Sequence, residues 1–329
     1  MADDGPLHSD WLDFRVDPGM PSVTAMITAA ARAIATHDPD PSVRNPDWLA
    51  EHFLGSTERQ LLAGTPWKNA LEYDYRHISQ HPEIDTLVRG MLVRTRFIDE
   101  RLSHAIDTGA TQVVVLGAGF DSRACRMRKA LRGATVFEVD FGATQEYKKR
   151  RVIELLGSLP ANVVYVPIDF TRQELCDVLQ DAGHRLDVLT CFIWEGVSYY
   201  LPEETVRRTL GYVATSKPGS VVVADFIRKS VIDHAGSEVT ATDPPMLRAA
   251  VTQLKRMADV GEAFVFGIPD GMEAEFLRST GLHLRELLPI NSVEATKLYR
   301  TRKDGTLVGN SPPTDYSATT LLEAAVPER

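Results

Sequence analysis

Cysteine is scarce in this chain: three residues in 329, Cys125, Cys176 and Cys191, widely spaced and odd in number. No CxxC pair and no nearby histidine pair accompanies them. That excludes a disulfide framework and a zinc site, and points to reduced thiols in a cytoplasmic protein. No metal is expected, because no ligand cluster has suitable spacing. Positive charge is also in deficit: 36 Lys and Arg stand against 45 Asp and Glu, for a net charge of −9 and a pI near 5.5. Nucleic acid is therefore not an expected partner, since phosphate binding needs a basic face. The short basic run Lys148–Arg151 reads as a solvated helix face. No apolar stretch is long enough to span a bilayer, and the acidic N-terminal MADDGPLHSDWLDF lacks a secretory core, so no membrane partner is expected. Internal repeats and low-complexity segments are missing as well.

What is present is an ordinary globular composition, 43% hydrophobic and 25% charged. The length suits one large domain, or one domain with a cap. Residues 1–20 read as a loose arm. Residues 22–36 place Val23, Met26, Ile27, Ala30 and Ile34 on one helical stripe, and HDPDPSVRNP then breaks the pattern. Trp48–Leu54 reads as a short amphipathic helix, and 83–107 as a long one. From residue 112 strands and helices alternate. Strands are expected at 112–116, 134–139, 163–168, 187–194 and 219–226, with helices near 121–132, 144–157, 171–182 and 202–216. Thr171 and Glu174 form a candidate capping box, and Pro202 suits a first helical turn. This alternation means a mostly parallel sheet with helices on both faces. Residues 228–262, with Pro244-Pro245, Met246 and Met257, read as a helical insertion, followed by strands at 282–288 and 318–325. The expected division is an arm and helical cap over 1–110, and an α/β core over 111–329 carrying the insertion 228–262.

The most informative segment is VVVLGAGFD at 113–121, paired with FEVDF at 137–141. A β-branched run stops at Gly117-Ala118-Gly119, where the backbone turns tightly and a ligand can approach closely. A second apolar run ends in Asp140, 23 residues beyond Gly117. That is close to the roughly 20 expected between a glycine loop and a ribose-binding acid. A dinucleotide fingerprint wants a third glycine, but Ser122 stands there. S-adenosylmethionine has ribose hydroxyls and no phosphates, so it fits GxG with a distant acid better than a nicotinamide or flavin does.

These blocks, with SVTAMITAAARAIATHDPDPSVRNP, LVRGMLVRTRFIDERL, VPIDF and FIWEGVSYYLPEE in order over about residues 22–290, resemble the leucine carboxyl methyltransferase family. The likeness is greatest to its bacterial small-molecule S-adenosylmethionine-dependent O-methyltransferase branch. The resemblance implies a class I, Rossmann-like methyltransferase core with a helical N-terminal cap and a late insertion. It implies that Arg94 holds the methionine carboxylate, an apt guanidinium pairing. By the same token Gly117 and Gly119 line the methionyl tail and loop, and Asp140 accepts from the ribose. Asp169 and Phe170 contact adenine, and Glu195 lies near the cofactor's amino group. Two departures stand out. Val115 occupies the place where many methyltransferases carry an acid, and a lysine of the protein-methylating eukaryotic members has no match, which argues against a protein C-terminus as substrate.

Other readings of the same residues stay open. Arg94 and Arg96 could pair with Asp99 or Glu100 along their helix, and Asp169 could serve a helix N-terminus. Glu195 follows the apolar CFIW and would be costly to bury unpaired. Tyr199 and Tyr200 could be core aromatics. His77, His104 and His234 read as surface or satisfied histidines. The expected function is methyl transfer to a small-molecule acceptor, by O-methylation of a carboxyl or hydroxyl in specialised metabolism. The alternatives are C- or N-methylation, a nicotinamide-dependent oxidoreductase, and a non-catalytic binding module. A carboxyl acceptor needs no general base; a hydroxyl acceptor does, and Tyr199 and His234 are the candidates. Acceptor walls are expected from the cap and the insertion, through Trp67, Tyr73, Tyr75, Tyr199 and Met246. A homo-oligomer is compatible with the sequence.

Overall fold

The structure, a computed structural model, describes residues 23–56, 82–170, 172–235, 240, 243, 245–259, 262–309, 312–314 and 317–328. Among the described residues, three α-helices come before the sheet: α1 (Val23–Ala35), the single turn α2 (Ala50–Phe53) and the 26-residue α3 (Pro82–Asp107). Then follow β1 (Gln112–Leu116), α4 (Arg123–Arg126), β2 (Thr135–Asp140), α5 (Gly142–Leu156), β3 (Val163–Pro167), α6 (Leu175–Asp181) and β4 (Thr190–Trp194). The chain continues through α7 (Glu203–Ala214), β5 (Val221–Ile227), α8 (Lys229–Ala235), α9 (Pro245–Asp259) and α10 (Glu273–Ser279). It finishes with β6 (His283–Pro289), α11 (Val293–Tyr299) and β7 (Thr319–Ala325). No described helix is long and apolar enough to cross a membrane.

The seven described strands run in the order β3-β2-β1-β4-β5-β7-β6, and β7 runs against the direction of the other six. Residues of β1, β4 and β5 are buried throughout, because helices cover both faces. The strand period of two divides their side chains. Val114, Leu116, Phe137, Phe192 and Val222 face α6, α7 and α10, while Val113, Val115, Val136, Ile193 and Val223 face the other layer. That layer includes Phe97, Ile98 and Leu102 of α3 and Tyr299 of α11. The first half of α3 does something different: Ile84, Val88 and Leu92 pack on Met26, Ala30 and Ile34 of α1. One helix thus serves both the N-terminal helices and the sheet, and Arg94 lies where it changes role.

Local expectations needed correction at several points. The helix read over 121–132 is broken into α4 and a 3-10 turn, Ala130–Gly133, as Ser122, Arg123 and Arg126 are drawn into polar contacts described below. The proposed capping box fails at Glu174. It is the N-cap residue of α6 and makes no capping bond, because its carboxylate pairs with Arg208 at 2.8 Å. Thr171 lies outside the described residues. Pro202 is the N-cap of α7, one residue ahead of its first turn. The basic run also splits: Lys148 is 1% exposed, turned inward on α5, while Lys149 and Arg151 pair with Glu146 and Glu154 on the outer side.

Phe192 is fully buried at the centre of the sheet and away from the cavity described next. Phe192→Ala should therefore cost about 3–5 kcal/mol of stability, read as a lower urea midpoint at unchanged m-value.

Candidate functional site

From β1 the sheet grows toward β2 and β3 on one side and toward β4 and β5 on the other. Outside the carboxyl ends of strands at such a switch point, open α/β sheets form a crevice. Here it is a cavity of about 490 Å³, a size typical of small-molecule and cofactor sites. Its floor is the turn after β1. Gly117 has φ +67°, and a Cβ there would overlap Val197 from the turn after β4, so the position requires glycine on both counts. The N–H of Gly119 donates to Asp140 Oδ2, and that of Phe141 donates to Oδ1 at 2.6 Å. Asp140 is thus fixed at the end of β2. Burial pushes its carboxyl above the ordinary range, and the two amides and Lys148 oppose that push.

A lattice of buried ion pairs forms one wall. Arg94 donates through Nε to Glu195 at 2.9 Å and through a terminal nitrogen to Asp225 at 3.0 Å. Arg123 holds the other oxygen of Glu195 at 2.7 Å, together with Asp99 and Asp121. Arg126 grips both oxygens of Asp99, at 2.6 and 2.7 Å. Arg32 of α1 binds Asp47 at 2.8 Å and the carbonyl of Phe120 at 3.1 Å. Burial acts to raise the pKa of Glu195, but Arg123 and Arg94 outweigh it and hold the carboxyl well below its usual range. Asp225 goes the other way: burial raises it, and Arg94 and the Gly196 N–H only partly compensate. Counted together, four arginines meet five carboxylates, Asp47, Asp99, Asp121, Glu195 and Asp225, and Asp140, held by backbone amides, adds a sixth. Such a site, with more carboxylates than arginines, favours a net-cationic ligand over a pyrophosphate.

Of the residues singled out in the sequence, Arg94, Gly117, Gly119, Asp140, Phe170, Glu195 and Tyr199 line this one cavity. Arg94 makes neither of the helical pairs left open for it; its partners come from β5 and the end of β4, and Arg96 donates to the carbonyls of Ser42 and Arg44. Asp169 is outside the lining, with its side chain 32% exposed and 3.5 Å from Arg172. Trp67, Tyr73 and Tyr75 lie outside the described residues, as does the side chain of Met246 on α9. His234 must be withdrawn as a base: it is exposed near the end of α8, bonded to the carbonyl of Ser230, and absent from the lining. Tyr199 is withdrawn on physical grounds. Burial, Asp225 and Tyr200 push its phenol well above 10, so it stays protonated at neutral pH.

The cap and the end of the insertion both reach the cavity, through residues other than those expected. Helix α1 supplies Thr24, Ala25, Thr28 and Arg32, and the segment after α9 supplies Glu262 and Ala263. The described residues of α8 and α9 are behind the wall instead, where Val231, Leu247, Val251 and Leu254 pack on Tyr199. Sequence reading missed Arg32, Asp47, Arg123, Arg126, Asp225 and Glu262. The available signal was Asp225 itself, an acid inside the otherwise apolar strand VVVADFI, which cannot be buried without a partner. Among the described residues no group of three or more metal-type ligands could hold an ion.

A pH dependence follows from Glu195. A carboxyl whose folded pKa lies below its unfolded value contributes stability above the unfolded value and loses it as pH falls toward the folded one. With 4.5 as the ordinary value, the protein should lose stability steadily below that pH. Glu195→Gln should flatten this acid limb of the urea midpoint. At neutral pH it should cost about 3–5 kcal/mol, because two buried arginines lose a partner.

Comparison with known proteins agrees with this geometry. Residues 25–214 match the model of the family described as leucine carboxyl methyltransferase. A protein of Mycolicibacterium vanbaalenii, provisionally named an S-adenosyl-L-methionine-dependent methyltransferase, is 32% identical over 68% of this chain and 72% of its own length. A Mycobacterium tuberculosis protein provisionally given the same name is 29% identical over 92% of this chain and 94% of its own. The crystal structure of a Thermobifida fusca protein, provisionally named a methyltransferase, shares the fold. Its TM-score is 0.54 at 16% identity, covering 96% of this chain and 97% of that one.

Proposed function

The chain belongs to the leucine carboxyl methyltransferase family and is an S-adenosylmethionine-dependent methyltransferase, and from that premise we propose that it methylates an oxygen of a small-molecule acceptor. The observation that carries the reading is the cavity's polarity. Asp140 is presented across a glycine turn, and every arginine lining the cavity is already committed to a carboxylate. A ligand with a ribose diol and a net positive charge suits such a site, and a pyrophosphate does not.

When bound, the cofactor supplies an electrophilic methyl group on a sulfonium. The chain's own residues bind and orient. Asp140 accepts from the ribose hydroxyls, and Phe170 covers the adenine. Asp169, just beyond the lining, is left for the exocyclic amine. Arg94 keeps donors free beyond its two carboxylate bonds and turns them to the methionyl carboxylate, while Glu195 accepts from the amino group. Gly117 and Gly119 leave room for the tail.

Oxygen is favoured by the bases on hand. Asp47, Asp121 and Glu195 are held by arginines, Asp140 by amides, and Tyr199 keeps its proton. A carboxylate acceptor is already ionised and needs only in-line positioning and exclusion of water. For a hydroxyl acceptor the group to take the proton is Glu262, whose described partner is the hydroxyl of Thr24. Glu262, Thr24 and the half-buried Tyr200 form the acceptor end of the cavity.

Calorimetry should show binding of S-adenosylhomocysteine and none of NAD or NADP; preference for a nicotinamide cofactor would sink the reading. Asp140→Ala should weaken that binding by about 1.5–3 kcal/mol, the worth of hydrogen bonds to a charged group. Arg94→Lys keeps the charge but loses the planar fork, and affinity should drop clearly. Labelled-methyl profiling of a host extract identifies the product. If it is a hydroxyl ether, Glu262→Gln should slow its formation by roughly 10²-fold or more; if it is a carboxyl ester, the rate should hold.

A further inference from the structure

Beneath the cavity is an ion pair that the reading above does not use. Lys148 of α5 and Glu138 of β2 are both 1% exposed, with Nζ and Oε2 2.8 Å apart. Neither atom has another polar partner among the described residues. Residues two apart on a strand share a face, so Glu138 points to the same side of β2 as Asp140. Helix α5 starts immediately beyond Asp140. It is pinned to the strand ends by Gln145, whose Nε2 donates to the carbonyls of Glu138 at 2.7 Å and Val166 at 2.9 Å. The lysine is therefore carried to a fixed place under the end of β2. It does not line the cavity.

A buried pair is poor evidence for stability, since desolvation offsets much of its attraction. What it does to its neighbours is more definite. Asp140 is faced by Lys148 from α5 and by the Gly119 and Phe141 amides, with Glu138 on its own strand and Asp121 from the turn after β1 facing the lysine as well. Tyr165 of β3 is the cross-strand neighbour of Glu138, and burial, with Glu138 adding to it, pushes up both its phenol and the Cys125 thiol of α4. Lysine charge draws both Asp121 and Asp140 toward the ionised state, whereas burial drives Glu138 and Asp140 the other way.

We propose that Glu138 and Lys148 are positioning residues for the ribose site: Lys148 keeps Asp140 in the ionised form that accepts from a diol, and Glu138 sets how much of the lysine's charge Asp140 feels. This rests on the cavity being the S-adenosylmethionine site. A protonated Asp140 offers fewer acceptor positions, so ligand affinity should follow its ionisation.

The test is calorimetry of the full chain with S-adenosylhomocysteine between about pH 5 and about pH 8.5. Lys148→Met should weaken binding progressively toward low pH, with Kd rising by up to about tenfold per pH unit and recovering toward high pH. Lys148→Arg should restore the wild-type profile. Glu138→Gln should shift the profile in the opposite sense and keep affinity further into acid than wild type, because the lysine is then unopposed. A pair that merely props the fold would weaken binding in both variants by a factor independent of pH, and that result overturns the proposal. If Lys148→Met does not fold, Glu138→Gln decides alone: a profile unmoved, or moved toward alkaline pH, overturns it. No binding by the wild type would fell the cofactor reading and this inference together. Binding by the wild type with unshifted variants would fell the inference only.

Discussion

A guanidinium held between the end of β4 and a buried acid of β5 is the constraint on which the rest of the site depends. Arg94 reaches from the middle of α3 to Glu195 and Asp225, and Asp225 is fully buried. Take the arginine away and Asp225 is left in a dry interior with only the Gly196 N–H, while Glu195 keeps Arg123, a cost of several kcal/mol. Its position therefore dictates others. Helix α3 must cross the sheet where its first half can still pack on α1 and its second half on β1, β4 and β5. The turn after β4 must stay close, and it does so through the N–H of Gly196, which donates to Asp225 at 2.7 Å. Arg123 then ties the same glutamate to the turn after β1. A helix and two turns that could move separately are thereby fixed by one set of charges.

Much of the fold was legible because parallel strands covered on both faces are short apolar runs. QVVVL, TVFEVD and TCFIW announce themselves, and helices of ordinary length must connect them. Gly117 and Asp140 were legible for a related reason: a tight turn and a strand-end acid have a fixed separation along one βαβ unit. The ion lattice was not. Arg94 is 101 residues from Glu195 and 131 from Asp225, and no local rule links charges so far apart. Nearby acids, Asp99 and Glu100, supplied a plausible local pairing, but they are taken by Arg123 and Arg126 in one case and by Tyr299 in the other. The run Lys148–Arg151 misled for a simpler reason. Successive helical residues point about 100° apart, so a basic cluster in sequence need not be a basic face.

The same lattice explains why the site is poor in acid–base chemistry. A carboxylate gripped by arginine is a stable anion and a weak base, and a buried phenol beside Asp225 is a donor. Rigid, permanently charged groups suit the holding of a charged ligand in place. Catalytic demand then falls on geometry, which suits a reagent whose methyl group is already activated. The weaker hold on Glu262, through the hydroxyl of Thr24 alone among its described contacts, sets that residue apart from the lattice.

Two rims follow from the way the walls are fastened. Helix α1 is bolted to the floor, because Arg32 binds both Asp47 and the carbonyl of Phe120. The wall at Tyr199 is backed by α8 and α9. Among the described residues, what remains open is the edge at Phe141, 50% exposed beside Asp140, and the edge at Ala263, exposed beside Glu262. If the adenosine is seated from Asp140 toward Phe170, it occupies the first edge and its tail points inward to Arg94. The acceptor is then left the second edge, past Thr24 and Tyr200. Its specificity would be written in the loop after α9 and the start of α1, segments that share no strand with the cofactor site, so acceptor preference can vary while the charge lattice stays fixed.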